Sequence, residues 1–314
     1  MPNGLNLKKE KMQRVCYQIV VIGAGANGSH FIRGLCQDLS THIQAAEKNF
    51  DYYRFSYDLT IVDGDLVEAK NLANQLFDSE DVGQYKVTSL AERYGRHYNL
   101  EVKRVTSYVK DQAMLEKLFA PLPTGKRTQV IPVLIGMLDN NRTRQLLDEF
   151  FYSDFLETLV YIDAGVEGVL MKKNKNSLTK EEVRSLKQSG FGGQVVCGLK
   201  FDSQVILEPV AGVFPNIWEE DDEHSHFPGE GCGELIHDAP QRCATNKFAA
   251  QIANGAVNNL LHSNSVYTHV INFNAQTGCS GGRDTFISDE MLGCFTSVMQ
   301  GGQAKEAEAE QLCI

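Results

Sequence analysis

The chain has 314 residues, of which 42% are hydrophobic and 22% charged, a composition typical of a globular protein rather than a disordered or fibrous one. Its 30 basic and 40 acidic residues give a formal net charge of −10, which disfavours duplex DNA and anionic membranes as partners. The apolar runs are too short to cross a bilayer and the N-terminus has no apolar signal region, so we expect a cytoplasmic protein. The eight cysteines form no C-x-x-C pair, which favours free thiols over disulfides or paired zinc ligands.

The N-terminal half alternates strand and helix patterns. Residues 5–14 are polar and basic, and we interpret them as a short helix or arm. The β-branched run at 17–22 predicts a buried strand, which leads through a glycine turn into a helix at 29–39. The rest of this half alternates in the same way, with strands at 58–62, 100–105 and 130–135 and helices at 82–97 and 143–155. This alternation predicts an α/β fold of the Rossmann-like, doubly wound type with a mostly parallel sheet.

The C-terminal half has a different pattern, and we expect more antiparallel strands in it. Strands are predicted at 159–162, 194–201 and 266–273, and helices at 172–190 and 244–262. The stretch 202–242 is rich in acidic residues, Gly, Pro and His, and we interpret it as a crossing or active-site loop. We divide the chain into an arm (1–14), a first half (15–158), a second half (159–300) that contains the loop 202–243, and a flexible tail (301–314).

The glycine turn at 23–28 joins the first strand to the first helix. A G-x-G-x-x-G turn lets backbone N–H groups approach a phosphate at the positive end of a helix. The motif alone is weak, but its strand–turn–helix context favours nucleotide binding through Gly23, Gly25 and Gly28 over a turn used only for packing. Asp63, at the end of the second strand, is placed to bind ribose hydroxyls, which does not distinguish ATP from NAD.

The residues that follow this second strand carry a family resemblance. The stretch from Asp63 to Gln75 (DGDLVEAKNLANQ) resembles, without a gap, the D-x-D-x-V-x-x-x-N-L-x-R-Q pattern of the ThiF/MoeB and ubiquitin-activating enzyme family. The glycine turn, Lys86 and the segments 139–145, 163–166 and 193–195 occur in the family's order and cover most of residues 15–262. Among relatives, the ThiF-like proteins of bacterial plasmid and conjugation operons, such as the PRTRC-system type, look most similar.

The resemblance implies a MgATP-dependent enzyme that adenylates the C-terminal glycine carboxylate of a ubiquitin-like protein. It implies that Asp139 holds Mg²⁺ and that Asn71 and Lys86 contact phosphates. The nucleotide-binding residues it implies are Gly23, Gly25, Gly28, Asp63, Asp65, Asn71, Gln75 and Lys86. The alternatives left open are a solvated Lys86 and an Asp139 that caps the following helix.

One departure from the family pattern is Asn74, which stands where the family has arginine and cannot supply a cation. Either Lys70 or Arg144 takes over this role, which makes Arg144 a candidate catalytic residue, or the basic arm at 1–14 reaches in from the second subunit of a homodimer. We favour the arm, because relatives of the ThiF/MoeB type use a basic N-terminal residue in this way. A catalytically degenerate, nucleotide-binding protein is the remaining alternative.

A late cysteine is the candidate nucleophile. Cys243 precedes the helix predicted at 244–262, where relatives that pass the activated carboxylate to sulfur carry their cysteine, and Arg242 adjoins it. A thiol at a helix N-terminus beside a cation is expected to have a lowered pKa. An inert buried thiol is the structural alternative, and Cys232 is the competing nucleophile. A weaker alternative is a zinc site formed by His224, His226, Cys232 and Cys243, whose spacing matches no common zinc module.

We therefore expect carboxyl adenylation with ATP and Mg²⁺ as cofactors, followed by a thioester on Cys243. Residues 15–158 are then the ATP-binding half, and 159–300 the half that binds a ubiquitin-like protein with a C-terminal Gly. A conjugating enzyme or a sulfur-transfer acceptor is the expected downstream partner, with no nucleic acid and no membrane. An NAD-dependent oxidoreductase is the alternative, disfavoured because no Tyr-x-x-x-Lys pair or other hydride-transfer set is recognisable.

Overall fold

The computed structural model describes residues 3–48, 55–169, 179–219, 241–281 and 286–312, and its centre is a nine-stranded sheet. The strands are β1 (Leu5–Asn6), β2 (Arg14–Ile22), β3 (Phe55–Val62), β4 (Lys103–Val105), β5 (Thr128–Gly136), β6 (Leu159–Val166), β7 (Gly192–Phe201), β8 (Gln204–Leu207), β9 (Ser265–Val266), β10 (Val270–Asn274) and β11 (Cys279–Gly281). The helices are α1 (Ala26–Lys48), α2 (Lys86–Tyr98), α3 (Gln112–Leu118), α4 (Asn141–Tyr152), α5 (Lys180–Gln188), α6 (Val210–Val213), α7 (Cys243–Ser263) and α8 (Asp289–Leu312). None of these helices combines the length and apolar character needed to span a membrane.

The sheet is parallel in its first half and antiparallel in its second, as predicted. Its strand order is β11-β10-β7-β6-β5-β2-β3-β4, with β8 paired to β7. The strands β2 to β6 run parallel, whereas β7 is antiparallel to β6 and β10 is antiparallel to β7. Since β3 and β5 flank β2 on opposite sides, the winding reverses at β2, and the carboxyl end of this strand is where such folds bind ligands.

Two apolar layers cover the two faces of the sheet. On β2, Ile19 and Val21 pack against the layer that contains α1, α2 and α7. The alternate residues Val20 and Ile22 pack against the layer that contains α3 and α4. Because both faces are buried, the strand is a continuous apolar run, which is why the sequence pattern predicts it so clearly.

The predicted arm at 5–14 forms neither a helix nor a free segment. β1 pairs antiparallel with β9 of the same chain, and the side chains of Leu5 and Leu7 are fully buried. Lys9 forms an ion pair with Asp202 at 3.1 Å. β2 begins directly after this segment. The segment therefore lies at the amino ends of the parallel strands, whereas the glycine turn lies at their carboxyl ends. The prediction failed because two leucines among lysines gave no visible strand pattern.

Other predicted bounds also need correction. α2 begins at Lys86 rather than at residue 82, and α3 was not predicted. The supposed loop from 202 contains β8 and α6, because Asp202 and Ser203 adopt positive φ angles of 46° and 65° and turn the chain back in a hairpin. Residues 301–312, which we assigned to a tail, continue α8 through a run rich in Ala and Glu, both strong helix formers.

Candidate active site

The glycine turn leaves β2 and enters the 23-residue α1. Gly23 has a φ of 99°, and a Cβ atom on Gly28 would lie 2.0 Å from the Gly23 carbonyl oxygen, so both positions require glycine for packing. A Cβ atom on Gly25 would meet no described atom within 4 Å. Backbone N–H groups at the head of a long helix, next to such an open position, form a site suited to a phosphate.

Asp63 follows β3 and bonds back to the glycine turn. Its Oδ2 accepts a hydrogen bond from the Ala24 N–H at 2.6 Å, and its Oδ1 accepts one from the Asp65 N–H at 2.8 Å. Burial raises the pKa of Asp63 to about 6, although the positive charge of Lys86 opposes this shift. The carboxyl group therefore lies beside the glycine turn.

Lys86 and Asp65 form an ion pair beside Asp63. Lys86 is the first residue of α2 and is only 6% exposed, and its Nζ donates to Asp65 Oδ2 at 2.7 Å. The Tyr108 hydroxyl donates to the other carboxylate oxygen of Asp65. Burial alone would raise the pKa of Asp65, but Lys86 and Tyr108 together hold it below its usual range. The alternative of a solvated Lys86 is excluded.

Tyr108 belongs to this site but was missed in the sequence. No motif marks it, and it follows β4 in a segment without periodicity. The available signal was Gly64, between the two acidic residues, because a Cβ atom there would lie 2.9 Å from the Tyr108 ring. Glycine at this position lets the aromatic ring approach the backbone closely enough for its hydroxyl to reach Asp65.

The segment after Asp65 forms a short 3₁₀ turn over Ala69–Ala73. Asn71 is buried in it, and its Oδ1 accepts a hydrogen bond from the Glu68 N–H at 2.8 Å, so part of this side chain serves the local fold. The Gln75 Oε1 atom is buried without a hydrogen-bond partner in the described structure. Lys70, a candidate for the missing cation, forms an exposed ion pair with Glu68 at 3.0 Å.

Asp139 lies just beyond the carboxyl end of β5. The chain reaches it from Met137, whose backbone lies against Gly23, so Asp139 is close to the glycine turn. Asn140, not Asp139, caps α4, since the Asn140 Oδ1 accepts the Thr143 N–H at 2.8 Å. The capping alternative is therefore excluded, and the Asp139 carboxylate is exposed.

A Mg²⁺ ion fits this carboxylate by its chemistry, since Mg²⁺ prefers oxygen ligands and usually keeps several waters. The described residues contain no group of three or more His, Cys, Asp or Glu side chains arranged to hold a metal. An ion at Asp139 would thus draw its other ligands from phosphate oxygens and water, as is usual for Mg²⁺ in nucleotide sites.

The Arg144 guanidinium is engaged by groups within the protein. Its Nε donates to the buried Asp163 Oδ1 at 3.0 Å, and its Nη2 donates to the Leu138 carbonyl at 2.6 Å. The guanidinium thus ties α4 to β6 and supports the backbone that leads to Asp139. The prediction that Arg144 replaces the missing cation is corrected, because a charge held by a buried partner is not available to a ligand.

Cys243 is the first residue of α7 and half-buried. Its neighbour Arg242 is engaged with other groups: the Arg242 Nε donates to the Ser189 carbonyl at 2.8 Å, and the guanidinium stacks over the Phe191 ring at 4.2 Å. Arg242 thus binds the carbonyl end of α5. The alternative nucleophile Cys232 and the zinc candidates His224 and His226 lie outside the described residues.

The packing of α7 places Cys243 at the same end of the sheet as the glycine turn. Asn254 Nδ2 donates to the Phe31 carbonyl at 3.3 Å, and His42 Nε2 lies 2.9 Å from Asn258 Oδ1. The earlier residue of α1 contacts the earlier residue of α7, and the later contacts the later, so α1 and α7 run parallel. The N-termini of both helices therefore lie at the same end of the sheet as the glycine turn. Cys243 lies on the same face of α7 as Asn254, because eleven residues are close to three full helical turns.

The chain is similar to several solved structures. The solved structure of E. coli MccB with AMPCPP and MccA is 14% identical to the chain, with a TM-score of 0.46, and covers 86% of this chain and 64% of its own. The structure of PaaA is 15% identical to the chain, with a TM-score of 0.47, and the match covers 88% of this chain and 65% of PaaA. E. coli MccB with ATP is 14% identical with a TM-score of 0.44 and covers 86% and 64%.

The chain thus spans less than two thirds of the length of these proteins. No curated protein matches the sequence. The model of the ThiF family matches residues 7–307, which is nearly the whole chain. The chain therefore belongs to the ThiF family.

Proposed function

We propose that the chain is an ATP-dependent adenylyltransferase that activates a C-terminal carboxylate. The observation that carries the proposal is the convergence of three groups at the carboxyl ends of neighbouring parallel strands: the open backbone at Gly25, the carboxyl group of Asp63 and the uncapped carboxylate of Asp139. Membership of the ThiF family supports this class of reaction.

In the proposed reaction, a carboxylate oxygen of the substrate attacks the α-phosphorus of ATP. The bond between the α-phosphorus and the oxygen that links it to the β-phosphorus breaks, so an acyl-adenylate forms and pyrophosphate leaves with that oxygen. The glycine turn and the head of α1 bind the phosphates, and Asp63 accepts hydrogen bonds from the ribose hydroxyls. Asp65 and Tyr108 position Lys86 beside the nucleotide.

Asp139 would hold Mg²⁺, which neutralises charge on the phosphates when bound. Arg144 acts indirectly by supporting the backbone before Asp139. Gln75 has a buried unpaired oxygen and Asn71 a side chain only partly used by the fold, and both stay proposed nucleotide contacts.

A thioester on Cys243 is the proposed second step. The thiolate attacks the carbonyl carbon of the acyl-adenylate, and AMP leaves with the electron pair of the broken carbon–oxygen bond. The position of Cys243 at the glycine-turn edge, on the α1-facing side of α7, supports this step. Cys243→Ala should then retain adenylation but lose an ATP-dependent, reductant-sensitive adduct on a non-reducing gel; an adduct that survives this change would contradict the assignment.

The substrate that we propose is a ubiquitin-like protein with a C-terminal Gly. This choice rests on the motif resemblance, as do a homodimeric state and a downstream conjugating enzyme or sulfur-transfer acceptor. The basic arm is no longer proposed as part of a partner's site, because Leu5 and Leu7 anchor it to its own chain.

The experiment that tests the proposed function is ATP–pyrophosphate exchange. The purified chain is incubated with MgATP, labelled pyrophosphate and each small protein ending in Gly that is encoded beside its gene. Exchange that requires one such protein is the expected result, since only a carboxylate that forms an adenylate makes the first step reversible. A chain that binds NAD but not ATP would contradict the proposal and favour the oxidoreductase alternative.

A further inference from the structure

The candidate site lacks a free cation among the residues predicted to supply one. Lys86 is paired with Asp65, Arg144 with Asp163, and Lys70 with Glu68. The arm that carries Lys9 lies at the opposite edge of the sheet. Pyrophosphate develops negative charge as it leaves, and such chemistry ordinarily uses a cation at that position.

A different lysine reaches the same edge from α7. Lys247 lies one turn after Cys243 and seven residues before Asn254, so all three share the face of α7 that packs on α1. Long side chains on a helix lean towards its N-terminus, which for α7 is the glycine-turn edge. Lys247 is exposed, and no described residue forms an ion pair with it.

The surroundings of His30 give independent evidence for this position. His30 lies on the same face of α1 as Gly34, one helical turn beyond the glycine turn. Burial and the positive charges of Lys247 and Arg33 lower the pKa of His30, so both cations lie near its ring. The segment that contains Asn74 lies against the head of α1, because the Leu76 N–H donates to Ser29 Oγ at 3.2 Å. Lys247 and Asn74 therefore both lie near the head of α1, and Asn74 stands where the family resemblance has arginine.

The heads of α1 and α7 also contain polar atoms without partners. Within the part of the chain that the structure describes, neither polar atom of the fully buried Asn246 amide has a hydrogen-bond partner. Asn27 Oδ1 and His30 Nε2 are likewise buried without a partner there. Leaving buried polar atoms unpaired costs free energy, so this junction between the two helices gains from engaging a polar ligand. Both helix N-termini add positive potential at the same edge.

We propose that Lys247 is the cation that binds the terminal phosphates of ATP and then the departing pyrophosphate, in place of an arginine at position 74. This inference rests on the proposed function. Lys247 donates to the β- and γ-phosphate oxygens and leaves the α-phosphate to the glycine turn. The same side chain keeps pyrophosphate in place until the acyl-adenylate reacts onward.

The test is binding of ATP, pyrophosphate and AMP, measured by calorimetry on the full chain. Lys247→Gln should weaken ATP and pyrophosphate binding about tenfold, the usual effect of removing one charged contact to phosphate, and leave AMP binding unchanged. The matched control is Lys117→Gln, an exposed helical lysine on α3 in the opposite helix layer. Adding Asn74→Arg to Lys247→Gln should restore ATP binding, because it returns a cation to the same place.

If Lys247→Gln binds ATP as tightly as Lys117→Gln does, this inference is wrong while the proposed function stands. An equal loss of affinity for ATP and AMP also contradicts it, since the cation would not then act on the terminal phosphates. A wild-type chain that binds neither ATP nor pyrophosphate contradicts both the inference and the proposed function.

Discussion

At the scale of single residues, the site depends on acidic groups with different environments. Asp63 is half-buried against the glycine turn and has a pKa raised to about 6, whereas Lys86 and Tyr108 hold the pKa of Asp65 below its usual range. The two carboxyl groups are only two residues apart, yet their pKa values are shifted in opposite directions. Asp65 therefore remains a fixed partner of Lys86, while Asp63 changes charge near neutral pH.

The raised pKa of Asp63 predicts a pH-dependent affinity for the nucleoside. Ionised Asp63 accepts hydrogen bonds from ribose hydroxyls, and protonation below about pH 6 removes acceptor capacity, so affinity should fall as the pH drops through that value. Adenosine is the ligand to titrate, because it carries no phosphate that ionises in this range. Asp63→Asn should show weak binding without this pH dependence; an identical pH profile in the variant would assign the titration to another group.

The role assigned to Arg144 predicts a loss of stability. Arg144→Ala leaves Asp163 buried without its cation, and breaking such a pair costs about 3–5 kcal/mol of unfolding free energy. Chemical denaturation of the two single variants and of the double variant with Asp163→Ala measures this, and the double variant should lose less than the sum of the two. A stable Arg144→Ala protein that has lost only pyrophosphate exchange would restore Arg144 as a catalytic residue.

At the scale of elements, the sequence predicted those whose patterns are local and strong. The buried run of β2, the glycine turn and the apolar face of α7 were recognisable because periodicity and turn chemistry agreed. The short β1 and the β7–β8 turn at Asp202 and Ser203 were not, since pairing with a distant strand or an uncommon turn sequence decides them.

The docking of β1 leads to a prediction about residues 3–14. Leu7 is fully buried in the core that contains α1 and α7, so Leu7→Ala should lower the unfolding free energy by about 2–5 kcal/mol. ATP affinity measured well below the melting temperature should stay within twofold of wild type, because this segment lies opposite the site. Lys11→Ala in the same segment is the matched control. Weakened ATP binding in a stable Leu7→Ala protein would place the arm at the nucleotide after all.

At the scale of the whole molecule, the site arises from topology. Asp63 and Asp139 follow β3 and β5, which flank β2, so parallel pairing alone brings both carboxylates to the glycine turn. That much could be predicted from the sequence. The partners of Arg144 and Arg242 and the position of Lys247 could not, because they depend on how α4, α5 and α7 pack on the sheet. The approach of Tyr108 could not either, because it depends on the path of the chain after β4.

The central claim is that the site at the carboxyl ends of β2, β3 and β5 catalyses adenylate transfer. Pyrophosphate exchange in Asp139→Ala tests this claim most directly. Asp139 caps no helix and is exposed, so its removal should leave the melting temperature and adenosine binding unchanged. Exchange should fall at least about a hundredfold, because the proposed metal ligand is lost. Asp154→Ala, an exposed aspartate after α4, should exchange like wild type. Exchange near the wild-type rate in Asp139→Ala would contradict the account.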